Sequence, residues 1–166
     1  MEDIQRWIIW ISEVKINQQQ EWIKMSNDKM EIQNTMEKLL EKHGINPSHD
    51  FHLKLSNKPY MDLVLEKYGS TIIVGHYFVQ NGDLMGDPIL AMEDISDYWS
   101  PLRIEEWSNY VIRDTICAFY KDGKLTIYPD RIKDFMNFQR LFACRIKKQG
   151  WLKFGVKEIP LLAIPS

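Results

Sequence analysis

Apolar and polar positions alternate with a period of two over residues 60–68 and 71–80, and with a spacing of three to four over residues 3–25, 28–43 and 130–148. The first pattern predicts strands, in which alternate side chains share a face; the second predicts helices with one apolar stripe. In 60–68, Met61, Leu63 and Leu65 point one way, and Asp62, Val64 and Glu66 the other. Gly69-Ser70 is a two-residue turn, and it sets Leu65 opposite Val74 and Leu63 opposite His76. Asn81-Gly82 is the strongest hairpin signal in the chain, because both central positions of a type I′ turn need positive φ. A strict two-residue loop there would set Phe78 opposite Met85, His76 opposite Asp87 and Val74 opposite Ile89. Pro88 cannot donate to a ladder, so the return strand is expected at an edge or bulged.

The flanks fill in around this ribbon. Residues 3–25 carry Ile4, Trp7, Ile8 and Ile11 at helical spacing, with Trp10 and Trp22 widening the apolar surface. A second helix, or a continuation kinked near residue 26, carries Ile32, Met36, Leu39 and Leu40 and ends at Gly44. Residues 51–55 form a weak first strand, and residues 95–107 read as an irregular crossing or a short helix. Residues 111–120 and 125–128 form a pair around the Asp122-Gly123 turn, extending the same sheet. A late helix starts at Pro129-Asp130, with Asp130 as its cap, and ends at Gly150, followed by an irregular tail over 152–166. The expectation is an α+β fold in one domain: helical residues 1–45, an antiparallel sheet of four to six strands, and one late helix packed on it within residues 51–151.

Composition narrows the function classes. The 166 residues hold 21 basic and 23 acidic side chains, a balance that disfavours a surface wholly devoted to nucleic acid. Cys117 and Cys144 lack metal-site spacing and read as buried thiols. No run approaches a membrane span and no signal-peptide pattern opens the chain, so a cytoplasmic protein is expected. Nucleophile elbow, P-loop, dinucleotide and zincin motifs are absent from the sequence. No cofactor is expected, and the enzyme question leans to no.

Three groups of residues carry candidate chemistry. His76, Gln80, Asn81, Gly82, Asp83 and Asp87 form either a structural turn locked by a His76–Asp87 contact or a recognition loop. The catalytic alternative makes Asp83, Asp87 and His76 a divalent-metal centre for phosphodiester hydrolysis. Trp7, Trp10 and Trp22 are aromatic anchors for a protein partner or for a homodimer through the N-terminal helices. Arg140, Lys147 and Lys148, with Trp151 beside them, are phosphate contacts in a nucleic-acid reading. His49 and His52 around Asp50-Phe51 suggest a weak metal contact or a solvated loop.

His76-Tyr77, the run from Gln80 to Met85, and Asp87-Pro88 resemble the signature of domain-of-unknown-function family 6908. The segment with Phe135 and Phe138 that ends Lys148-Gln149-Gly150-Trp151 is similar to the family's closing segment, so the resemblance spans residues 60–151. It implies a small accessory protein of plasmids, conjugative elements or phages of Gram-positive bacteria. The family carries no reaction to transfer. Proteins of such elements often bind and block a component of the host or of a rival element, which makes a non-catalytic protein binder the expected function.

Overall fold

The computed structural model describes residues 29–108 and 111–159. Helix α1 (Glu31–Lys42) is followed by strands β1 (Phe51–Ser56), β2 (Asp62–Tyr68), β3 (Thr71–Gln80), β4 (Asp83–Ile95), β5 (Tyr98–Ser108) and β6 (Val111–Ile116). Then come β7 (Ala118–Lys121), β8 (Lys124–Ile127), helix α2 (Pro129–Lys148), the one-turn helix α3 (Trp151–Phe154) and β9 (Val156–Lys157). A seven-stranded sheet runs β6-β5-β4-β3-β2-β1-β9, and β7-β8 pair separately. All the pairings are antiparallel. The α+β class therefore holds, with a larger sheet than the four to six strands expected and with two late helices in place of one. The expected helix over 3–25, and with it Trp7, Trp10 and Trp22, lies outside the described residues.

One face of the sheet carries the core. Leu53, Leu63, Leu65, Ile72, Val74, Leu90 and Met92 are fully buried there, against Ile32, Met36, Leu39 and Leu40 of α1 and Phe135, Phe142 and Ile146 of α2. The helical stripes and strand parity expected from the pattern thus meet in a single layer. Helix α1 begins without a side-chain cap of its own. Its Ile32 N–H donates instead to Gln139 Oε1 of α2 at 2.9 Å, so a tertiary contact satisfies a donor that local residues usually satisfy. At the other end Gly44 (φ +70°) closes a Schellman motif, with Ile45 N–H bonded to Leu40 O and Gly44 N–H to Glu41 O. Asp130 does not cap α2: Tyr128 holds the cap position, Pro129 opens the first turn and Asp130 lies inside it.

The β2–β3 register is the expected one, with Leu65 opposite Val74 and Leu63 opposite His76. Asn81 (φ +51°) and Gly82 (φ +83°) form the type I′ turn, and Phe78 faces Met85. Beyond that, β4 carries an extra residue: Tyr77 pairs with Gly86, Gly75 with Ile89, and Val74 with Leu90 rather than Ile89. Pro88 sits in the irregular step between them. The bulge accommodates a residue with no N–H inside a strand that is central, not at an edge. Gly75 makes the close approach possible, since a Cβ there would lie 2.8 Å from Pro88 O and 3.3 Å from Ile89 Cα. Both are backbone atoms and cannot step aside. Gly75→Ala is expected to lower the unfolding free energy by about 2–3 kcal/mol, read by urea denaturation.

Residues 98–108 form a full strand, not an irregular crossing. Trp99 and Ile104 are both buried at an odd separation, which strict alternation forbids. A register shift in the β4–β5 ladder, at Ala91/Met92, restores the parity. The connecting turn is Ser96-Asp97, with both φ positive and no glycine. Asp97 N–H donates to Asp94 Oδ1 at 3.1 Å, and Gln33 of α1 grips both sides: its Nε2 donates to Asp97 O, and its Oε1 accepts Trp99 N–H. The stretch expected as one strand over 111–120 breaks at the buried Cys117, and the β7–β8 ribbon leaves the main sheet.

Candidate functional site

His76 projects into the core with 6% of its surface exposed, between the rings of Phe142 and Trp151 at 5.4 and 5.6 Å. Its Nδ1 lies 3.1 Å from Met61 O and 3.4 Å from Asp62 O, so Nδ1 carries the proton and donates. Asp87 turns elsewhere and accepts Trp107 N–H on β5 at 3.2 Å. The expected His76–Asp87 lock is replaced by two separate ties, because the extra residue in β4 shifts Asp87 out of register. Burial holds the His76 pKa below the ordinary 6.5, opposed by its carbonyl bonds and lowered further by Arg145.

The neutral ring has a consequence for stability. Below about pH 6.5 the unfolded chain takes up a proton that the folded ring refuses, so stability is full above that pH and falls as the pH drops. His43, also depressed by burial and by Lys42, acts in the same direction. His76→Gln should flatten, without abolishing, the loss of stability between about pH 7.5 and about pH 5.5. Equal slopes for the two proteins would contradict this assignment.

Asp83, Gly82 and Asn81 are exposed at the hairpin tip, Gln80 is half-buried, and His76 lies inside. Among the described residues no three His, Cys, Asp or Glu side chains come together to hold a metal ion. The Asp83/Asp87/His76 centre is therefore not assembled. His52 pairs through Nδ1 with Glu66 Oε1 at 2.7 Å. Cys117 is buried and its thiol is pushed up to about 11 by that burial, far from reactive; Cys144 is only half-buried.

The basic residues of α2 are exposed, yet their setting is mixed. Arg140 bonds Asn137, and Lys147 lies 3.8 Å from Glu31 of α1 beside a cleft that also holds Glu37 and Glu41. Trp151 is fully buried and offers no ring to a base. Lys148 is free to face solvent.

The concavity that sequence reasoning missed lies on the sheet face opposite the core. A groove of about 710 Å³ runs over β1–β3, with Val64, Tyr77 and Phe78 among its apolar lining and Lys54, Asp62 and Glu66 among its charged groups. Asp62 and Glu66 occupy the open face, as strand parity predicts. Val79 and Leu84 pair across the ladder beside the Asn81-Gly82 turn and line the same groove, 70% and 69% exposed. Their alternation was legible; the hollow beneath them depends on twist and on the 57–60 loop, which periodicity does not report.

A bulged antiparallel sheet, with helices on one face and a groove on the other, defines a two-layer α+β protein. The model of a family described as Domain of unknown function (DUF6908) matches residues 34–152, more than half of the chain, and the protein belongs to that family. No curated protein and no solved structure matches it. No helix among the described residues is long and apolar enough to cross a membrane.

Proposed function

We propose that the protein is a non-catalytic accessory protein of a bacterial mobile element, acting in the cytoplasm by binding a protein of the host or of a rival element and inhibiting or modulating it. The observation that supports this reading is the exposed Val79–Leu84 pair at the rim of the groove, on a hairpin whose turn geometry is fixed by Asn81 and Gly82. Apolar side chains held rigidly above a polar-rimmed hollow suit a protein surface, where buried apolar anchors dominate the binding energy. They do little for a phosphate backbone, which calls for free cations.

Val79→Asp combined with Leu84→Asp tests this. Both positions are exposed, but the two new carboxylates lie opposite each other across the ladder, so folding stability should fall by about 1–2 kcal/mol, checked by a urea melt. After nuclease treatment, affinity capture from lysate of the native host should retain a discrete protein on the wild-type chain and lose it on the double variant. Release by nuclease alone, or equal retention by both chains, would count against the proposal. Capture that nuclease releases and that Lys148→Glu abolishes would favour the nucleic-acid reading instead.

A further inference from the structure

The β7–β8 ribbon stands apart from the main sheet, and its two faces differ in chemistry. Residues directly opposite across a ladder share a face. The inner face holds the pairs Ala118–Ile127 and Tyr120–Leu125. Ala118 is buried there, Ile127 packs on the core, and the Tyr120 hydroxyl donates to Glu93 of β4 at 2.6 Å. The outer face holds the pairs Phe119–Thr126 and Lys121–Lys124. Tyr128, next in the same parity, sets its ring 5.7 Å from that of Phe119, and the Arg131 guanidinium lies over the Tyr128 ring at 4.3 Å. Lys121, Lys124, Tyr128 and Arg131 are all exposed.

Folding does not account for the two lysines. Like charges set opposite each other across a ladder repel, and this pair flanks the Asp122-Gly123 turn at the ribbon's tip. Among the described residues no carboxylate comes within ion-pair distance of Lys121, Lys124 or Arg131; the ion pairs all lie elsewhere. That holds for Asp122 in the turn and for Asp130 and Asp134 at the start of α2. Arg131 donates to Ile116 O at 3.0 Å, a bond that leaves its charge uncompensated. Cations without counter-ions beside a stack of two rings and a guanidinium match a polyanion that carries free aromatic faces. A duplex keeps its bases inside, so the rings gain nothing from it. From Lys124 to Tyr128 is four residues of extended chain, about 13 Å, which calls for a strand and not a single nucleotide.

We propose that the outer face of the β7–β8 ribbon binds single-stranded nucleic acid, with Lys121 and Lys124 holding phosphates and the Phe119, Tyr128 and Arg131 stack receiving bases. The site is built on different strands from the groove, and it stands or falls independently of the protein-binding reading.

Fluorescence anisotropy of a labelled oligothymidylate of about twelve nucleotides, titrated with the full-length protein, tests this. Binding should saturate, and three phosphate-facing cations should give a slope of about −2 for log affinity against log salt. An abasic strand of the same length keeps the phosphates and lacks the bases, so it should bind about tenfold more weakly. Lys121→Gln combined with Lys124→Gln should bring the slope to about −0.7. Arg131→Lys keeps the charge and loses the plane; it should leave the slope in place and cut the preference over the abasic strand several-fold. Lys148→Gln, on α2, should change affinity less than about twofold. A thermal melt checks each variant, and Arg131→Lys carries the test if the lysine double variant does not fold. No saturable binding at about 50 mM salt, equal binding of the abasic strand, or a loss from Lys148→Gln that matches the loss from the lysine pair would overturn the proposal. So would binding to phosphatidylserine vesicles with none to the oligonucleotide.

Discussion

Trp151→Ala is expected to lower the unfolding free energy by about 4 kcal/mol. Trp151 is fully buried behind α2, where Gly150 (φ +74°) turns the chain back into α3. Its ring lies 5.6 Å from His76 and 6.5 Å from Tyr60, so one side chain joins the helix layer to β3 and to the 57–60 loop. The indole N–H donates to Gln149 Oε1 at 2.8 Å. Truncation removes one of the two buried tryptophans among the described residues and leaves a cavity that the surrounding strands cannot close. Urea denaturation with an unchanged m-value should show the loss. A change below about 1 kcal/mol would mean that this corner repacks, and that its position does not shape the loop lining the groove.

Lys67→Ala should cost about 3 kcal/mol. The Lys67 ammonium is almost wholly buried, 2.8 Å from Asp94 Oδ2, and it also donates to Pro47 O and Ser48 O. It therefore ties β2 to β4 and to the loop after α1. Removing the cation strands a carboxylate at a site with little water. Lys67→Met together with Asp94→Asn should recover at least half of the loss, since the charge is removed while an acceptor for Asp97 N–H is retained. Failure of the double variant to recover would show that the bonds to the loop carbonyls, and not the ion pair, dominate.

The parts of the fold legible in the sequence were those governed by local chemistry. Paired glycine turns at 69, 82 and 123 and the period-two pattern of β2 and β3 specified the register wherever no residue was inserted. Gly44 and Gly150 marked the helix ends by their left-handed conformation. What stayed hidden depended on partners distant in the chain. Gln33 and Asp94 allow Ser96-Asp97 to turn without glycine, and Gln139 caps a helix 107 residues away. Two register shifts, one of them at Pro88, broke the alternation that would have announced β5 and moved Asp87 off the position opposite His76. At the candidate site the same rule applies. Parity placed Asp62, Glu66 and Tyr77 on the open face, but the Lys54 ammonium is shared between Asp62 and Glu158, which no short-range pattern brings together.

The most direct measurement places a photo-crosslinking amino acid at Val79 in one variant and at Lys148 in another, with irradiation in the native cell. The account predicts a discrete, nuclease-resistant protein adduct from position 79 and none of matching yield from position 148. Adducts formed from position 148 and removed by nuclease, with position 79 silent, would contradict it.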